Sequence, residues 1–246
     1  RFGIAGIGGA TSVNTRASQF AQGNKLTLSG TNRNYVARGM FTHATGLLPS
    51  GWAFAGLVGY RWAKEGVIEG TFYNSLSYFL SAEKRFGDNH SLSLVTFGSP
   101  TERAQQGAST EEAYWLANSH YYNPNWGYQA GEKRNARVVN DFEPTAILTW
   151  DWKIKDELKL TTAAGFKYSM YSSTALGWRG DAYDPRPDYY KDMPSSIFDV
   201  WNPDKNNPEY LKEHPYLLDQ YNDLKDYWMS SKANRQLNWD RMYFVN

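Results

Sequence analysis

The sequence predicts an all-β fold built from long antiparallel strands of the kind that close into a transmembrane barrel. Three observations predict it. Apolar and polar residues alternate with period two through most of residues 25–171. Several alternating runs last 11 to 16 residues, whereas strands of water-soluble sheets usually have about 5 or 6. A tilted strand that crosses a bilayer needs roughly 9–11. The connections are also short at one end and long at the other, as in barrels that cross a membrane.

The runs follow in order. Run 25–29 sets Leu26 and Leu28 on one face, and run 34–45 is longer and alternates less cleanly. Run 52–62 puts Trp52, Phe54, Val58, Tyr60 and Trp62 on one face, with Ala53, Ala55 and Arg61 on the other. Run 71–86 sets Phe72, Leu76, Tyr78, Leu80 and Ala82 against Ser75, Ser77, Ser81, Glu83 and Arg85. Run 91–98 sets Leu92 and Leu94 against Ser91 and Ser93 after the polar turn Gly87-Asp88-Asn89-His90. Run 145–154 sets Ala146, Leu148, Trp150, Trp152 and Ile154 against Thr145, Thr149, Asp151 and Lys153. Run 158–171 sets Leu160, Ala164, Phe166, Tyr168 and Met170 against Lys159, Thr161, Lys167 and Ser169. An eighth strand is expected over 238–245. Connections 47–51, 87–90 and 155–157 are short; on the other side, 99–143 and 172–246 are very long. A soluble sandwich also alternates, but it has no reason to sort its connections by end.

Composition bounds the function. A net charge of +1 gives no field that draws nucleic acid or anionic lipid. No apolar run approaches the ~20 residues of a membrane-spanning helix, which excludes helical membrane proteins and leaves barrels open. The absence of cysteine excludes disulfides, thiolate metal sites and a cysteine nucleophile. The 10 Trp and 18 Tyr suit interfacial aromatic girdles and sugar-stacking surfaces equally. Trp52, Trp62, Tyr78, Trp150 and Trp152 stand at strand ends, where a girdle belongs. The chain opens on Arg1 rather than Met, so a processed chain or a piece of a longer one is expected.

The string "RFGIAGIGGATSVNTRAS" (1–18) resembles the end of the plug domain of TonB-dependent outer-membrane transporters. There a Gly-rich turn leads into a short strand of the type Gly-Gly-x-x-x-Val-x-Thr-Arg, matched here by Gly8, Gly9, Val13, Thr15 and Arg16. "YYNPNWGYQAGEKRNARV" (121–138) and "LGWRGDAYDPRPDYY" (176–190) resemble loops of such transporters from the Bacteroidota. The resemblance covers about residues 1–190. It implies that 1–18 end a plug and that 19–246 begin a barrel of roughly 22 strands. Seven or eight strands cannot close such a barrel, and unpaired edges cannot face lipid, so most of the barrel is expected outside this chain. The implied function is active import of a nutrient, glycan or oligopeptide, across the bacterial outer membrane. The implied partners are TonB, through a segment outside this chain, a surface lipoprotein, and outer-membrane lipid. In each hairpin one face would meet lipid and the other a wet, plug-filled lumen: even-numbered residues around Leu80 outward, odd-numbered ones around Ser81 inward.

No catalytic constellation is visible, and neither enzymatic activity nor a cofactor is expected. His43, His90, His120 and His214 lack metal-ligand spacing. The glycines at 3, 6, 8 and 9 lack the Lys-Ser/Thr of a phosphate loop. Asp181, Asp184 and Asp188 do not have EF-hand spacing. The candidate substrate contacts are the loop aromatics Trp115, Tyr121, Tyr122, Trp126, Tyr128, Trp178, Tyr183 and Tyr189, with Tyr190 beside them. Such rings offer flat apolar faces and polar tips to sugars or peptide side chains. They serve equally well to pack loop on loop or to touch a partner. Two other classes fit the same residues: a secreted carbohydrate-binding β-sandwich, and a passive porin or structural barrel subunit.

Overall fold

Alternation becomes one long antiparallel sheet in the computed structural model, which describes residues 13–177, 183–198 and 208–245. The strands are β1 (Gly23–Gly30), β2 (Ala37–Leu47), β3 (Trp52–Ala63), β4 (Tyr73–Phe86), β5 (His90–Gly98), β6 (Thr101–Ala104), β7 (Trp126–Gln129), β8 (Glu132–Asn135), β9 (Val138–Phe142), β10 (Thr145–Lys155), β11 (Leu158–Lys167) and β12 (Met170–Ser173). The main path is β1-β2-β3-β4-β5-β10-β11, every pair antiparallel. β1 and β11 are its edges, so the sheet is open.

The three short strands β6, β9 and β12 continue three of these. β5 meets β10 at Phe97 and Thr145, and β6 meets β9 at Thr101 and Asp141. That is four residues onward on one strand and four back on the other, so the register never slips. The interruptions fall at Ser99-Pro100 and Glu143-Pro144, where proline has no N–H for the ladder. The carbonyls still serve it: Leu76 donates to Pro100 O, and Tyr168 to Pro144 O, both at 3.1 Å. The chain therefore builds seven ribbons, the number expected from the sequence.

Three tight turns close one end. Residues 48–51 turn through Gly51, whose φ of 78° is left-handed and whose added Cβ would stand 2.8 Å from the Arg85 carbonyl oxygen. Residues 87–89 and 156–157 form the other two. At the opposite end lie 31–36, 64–72, 105–137 and the described residues after Ser173.

The two long segments are not plain loops, which corrects the sequence-based expectation. The first extends the sheet at both of its ends and the second at its start, and among the described residues the two carry the β7–β8 hairpin and four α-helices: α1 (Glu111–Ala117), α2 (Pro208–Glu213), α3 (Tyr216–Ser230) and α4 (Trp239–Val245). The eighth strand expected over 238–245 is helix α4 instead. Asn238 Oδ1 accepts from Arg241 N at 2.9 Å, an N-terminal cap. Trp239 and Met242, three apart, then face the same core of Ala136 and Leu237.

Candidate functional site

The sheet has one bare face and one covered face, and their chemistry is reversed from that of a soluble sheet. On the bare face Phe54, Val58, Leu80 and Leu94 stand 43–55% exposed. On the other face Ser75, Ser81, Glu83 and Ser93 are at most 4% exposed. Burial of polar side chains with apolar ones left outside costs free energy in water, so such a patch marks an interaction surface.

Near the tight-turn end the bare face carries a belt of rings. Trp52 stacks on Phe54 with centroids 5.5 Å apart; His90, Trp150 and Trp152 stack within 5.6–5.8 Å of one another. Lys84 Nζ lies 5.1 Å from the Trp52 ring and donates to Ser50 O at 2.7 Å. Its stem follows the apolar surface and its charge reaches the turn.

A strap, residues 13–20, crosses the covered face. It is what reaches the described residues of the expected plug end; the Gly-rich residues before Val13 lie outside them. Alanine makes the seat: Ala17, wholly buried, packs on Ala44, Ala53 and Ala55, and Phe20 meets Phe79 at 5.5 Å. Polar anchors fix the direction. Ser81 Oγ donates to Thr15 O at 2.8 Å, and Ser18 N donates to Glu83 Oε2 at 3.0 Å. Arg85 Nη2 donates to Ser18 Oγ at 3.0 Å. Arg16 grips Asp151 with Nε and Nη2 at 2.7 and 2.5 Å, while Thr161 donates to the other oxygen of Asp151 at 2.6 Å. The strap thus ties β2, β3, β4 and β10 together, and Asp151 carries the tie on to Thr161 in β11. The sequence pointed to Arg16 and Thr15, but Glu83 and Asp151, as the receiving carboxylates, were visible only as positions on the polar face of their strands.

The long segments gather into a cap beyond the other end of the sheet. Thr110 caps α1, accepting from Ala113 N at 3.2 Å, and Asn118 ends it in the left-handed conformation. One cap core joins Ala113 and Leu116 to Met193 and Trp228, with Tyr122 against them; the second is the Ala136, Leu237 and Trp239 cluster. Buried asparagines wire the backbone. Asn123 Oδ1 accepts from Gly107 N and Asn125 N, and Asn123 Nδ2 donates to Glu69 O at 3.1 Å. Asn135 Nδ2 donates to Gly70 O at 2.9 Å and Gln105 O at 3.1 Å. Sequence reasoning passed over these asparagines, though Asn123 sits in the string Asn123-Pro124-Asn125.

The loop aromatics divide. Tyr121, Tyr122 and Trp126 come together around a pocket of about 200 Å³ that Glu69, Lys232 and Arg235 also line. Trp126 is 3% exposed and lies edge-on to Tyr128 at 5.7 Å, with Lys133 Nζ 4.7 Å over its ring. Tyr122 donates to Arg235 O at 3.1 Å. These two are framework before they are contacts; Tyr121 and Tyr128 remain exposed. Trp115 stands apart, exposed under Lys225. Tyr183, Tyr189 and Tyr190 form a separate chain of edge-to-face rings, and Tyr183 donates to Asp192. Trp178 and Asp181 lie outside the described residues. Asp184 is buried and bound by Arg186 at 2.6 Å.

Charges at the pocket are paired. Burial pushes the Glu69 carboxyl up, but Lys133 and Lys232 outweigh it and hold it below the usual carboxylate range. Burial pulls Lys133 down, and Glu65 and Glu69 carry it above its usual value. Nearby Asp188 is pushed up, first by burial and against the opposing pull of Ser109 and Arg186. Its Oδ2 accepts from Ser109 Oγ at 2.7 Å, while its buried Oδ1 has no hydrogen-bond partner. Because the folded state holds this proton more tightly than the unfolded chain, cap stability falls as pH rises from the ordinary Asp value, about 3.9, through the raised one. Asp188→Asn is expected to flatten that slope. Hydrogen exchange in α1, compared between about pH 4 and 7, measures it.

A second expected result concerns the β7–β8 hairpin. A Cβ at Gly127 would stand 1.9 Å from the Leu237 carbonyl oxygen, and Leu237 N donates to Trp126 O at 2.9 Å. Gly127→Ala is expected to cost the cap about 1–3 kcal/mol by overpacking and to speed limited proteolysis between residues 231 and 238.

No protein-family model, curated protein or solved structure matches the chain. Among the described residues no group of His, Asp and Glu is disposed to hold a metal ion, and no helix is long and apolar enough to cross a membrane.

Proposed function

We propose that the chain is the first part of an outer-membrane β-barrel, with the end of a plug lying across its lumen, and that the whole protein imports a nutrient. The observation that carries this reading is the reversed sheet: an uncovered apolar face beside a polar face that the strap covers. Dimensions support it. Trp52 and Trp62 face the same way on β3, ten residues apart. At ~3.3 Å per residue that is ~33 Å along the strand, or ~25 Å of height at a tilt near 40°. The apolar band of a membrane barrel is about 25 Å tall with an aromatic girdle at each rim. Tight turns then mark the periplasmic end and the cap the extracellular one. The open edges β1 and β11 require further strands before the sheet can sit in lipid.

Transport follows from the strap. A pore this wide leaks unless filled, and a filled pore transports only if the filling moves. The strap is held by polar contacts and small alanines rather than by a deep core, which suits an element that shifts when substrate binds outside. The outer membrane has no ATP supply, so energy would arrive through TonB at a segment outside this chain. Cap aromatics such as Tyr121 and Tyr128 suit a glycan or oligopeptide, or a surface lipoprotein that delivers it.

Two experiments test this. Extraction of the native protein from its source cells is expected to need detergent; release into plain buffer points instead to a secreted carbohydrate-binding sandwich. Uptake of the nutrient is expected to stop when TonB is deleted; uptake that continues points to a passive porin.

A further inference from the structure

We infer that the bare face carries a binding site for the sugar head of an outer-leaflet glycolipid, a reading that rests on the membrane placement just proposed. Two neighbouring ladders of side chains define the place. The upper one, Trp62-Asn74-Glu102-Asn140-Ser172, runs unbroken through β3, β4, β6, β9 and β12. In an antiparallel sheet directly paired residues share a face, so these five stand side by side. Four of them are polar. Two residues below on the same face lie Tyr60, Leu76, Phe142 and Met170. The bare face therefore changes from apolar to polar within one step of the ladder, about 7 Å.

A hollow of about 710 Å³ lies over that step, lined from both rows and by Tyr168. Ligand pockets commonly hold about 300–1,000 Å³. Its polar atoms are available. Among the described residues, no hydrogen bond or ion pair engages the side chains of Glu102, Asn140 or Ser172, while Asn74 accepts only from the Tyr60 hydroxyl at 3.3 Å. Surface without an interaction partner does not need an aligned row of amide, carboxylate and hydroxyl groups above a row of rings.

The chemistry selects the occupant. No Lys or Arg lines the hollow, and Glu102, whose carboxylate belongs to the upper row, does, so a phosphate would meet negative charge with nothing to neutralise it. Carboxylate and amide groups are good acceptors for sugar hydroxyls. The Tyr60 and Phe142 rings offer apolar faces to a sugar ring. The apolar row below continues the surface that meets acyl chains, so a molecule with a sugar head and lipid tails meets both rows in the order presented. An uncharged sugar in free solution would engage the upper row alone.

The test uses the full protein reconstituted in phosphatidylethanolamine bilayers doped with monoglucosyl diacylglycerol or with phosphatidylglycerol, and reads retained lipid by native mass spectrometry. The glucosyl lipid is expected to stay bound in preference to both phospholipids. The variant with Glu102→Ala and Asn140→Ala is expected to retain about tenfold less of it, the loss of one or two hydrogen bonds. Both residues are exposed, so the fold should tolerate the change. Ser172→Ala, the smallest change in the row, should move retention in the same direction. Equal retention by these variants, or preference for phosphatidylglycerol, overturns the site while leaving the barrel intact. A protein that does not enter the bilayers at all overturns the barrel and the site together.

Discussion

In the proposed barrel, Leu80→Arg is expected to cost the folded protein about 2–4 kcal/mol, the penalty for a cation at the middle of a lipid-facing wall. The side chain is 55% exposed and touches no core. In water a substitution at such a place stays within about 0.5 kcal/mol, so the two environments differ by more than any error of measurement. Leu80 pairs with Gly56 and Thr96, about midway between the Trp52 row and the Trp62 row. Lys84 shows the contrast: it lies on the same face two rungs below, at the level of Trp52, and lets its ammonium escape to Ser50. Arginine at residue 80 has no such exit. The variant should reach the outer membrane in less than a tenth of the normal amount, read as the folded fraction on a heat-modifiability gel. Leu76→Arg, nearer the polar ladder, should cost less.

The second large effect is expected at Glu83. Its carboxylate is 2% exposed, accepts from Ser18 N, and lies 3.3 Å from Arg85 Nε. Glu83→Leu fills the same space but leaves the Ser18 amide without an acceptor, at about 1–3 kcal/mol, and loosens the arginine that holds Ser18 Oγ, at ~1 kcal/mol more. Arg85 is itself partly exposed and turns to water, so the ion pair adds little. The strap should then leave its alanine seat about 2–4 kcal/mol more readily. Protease cutting within residues 13–20 and entry of large antibiotics into cells both report that release. Glu83→Gln keeps an acceptor for the amide and should show the smaller effect. A wall residue with no tie to the strap would change stability alone and leave permeability untouched.

The sheet was legible in the sequence because period-two alternation is a local property: the face assigned to Leu80 or Trp150 depends on two neighbours only. The seven ribbons and the sorting of tight turns to one end came with it. Prolines 100 and 144 obscured how far the ribbons run, since missing N–H groups end a strand pattern while the register passes through them. The cap was not legible as structure. Leu217, Tyr221, Leu224 and Trp228 in α3 have helical spacing, but a reading tuned to alternation treats them as loop. Helix α4 was taken for a strand because the apolar residues in 238–245 fit either period over so short a run. Among the candidate contacts, residue type showed that Tyr121 and Trp126 have rings. Only the fold shows that one is open to solvent and the other is pressed against Gly70. Glu83 and Asp151 could be placed on the lumen side by parity, but their partners lie 65 and 135 residues away in the chain.

The central claim is that the bare face meets lipid, and its most direct measurement is a spin-label scan of β4. These 246 residues hold no cysteine, and in a cysteine-free form of the full protein each one introduced from Leu76 to Lys84 is alone. In the full protein in bilayers, even-numbered positions are expected to collide with oxygen dissolved in the acyl chains and to escape a water-soluble nickel complex. Odd-numbered positions are expected to be shielded from both where the strap lies over Ser81 and Glu83. Even-numbered positions that collide freely with the nickel complex would place the bare face in water and contradict the barrel.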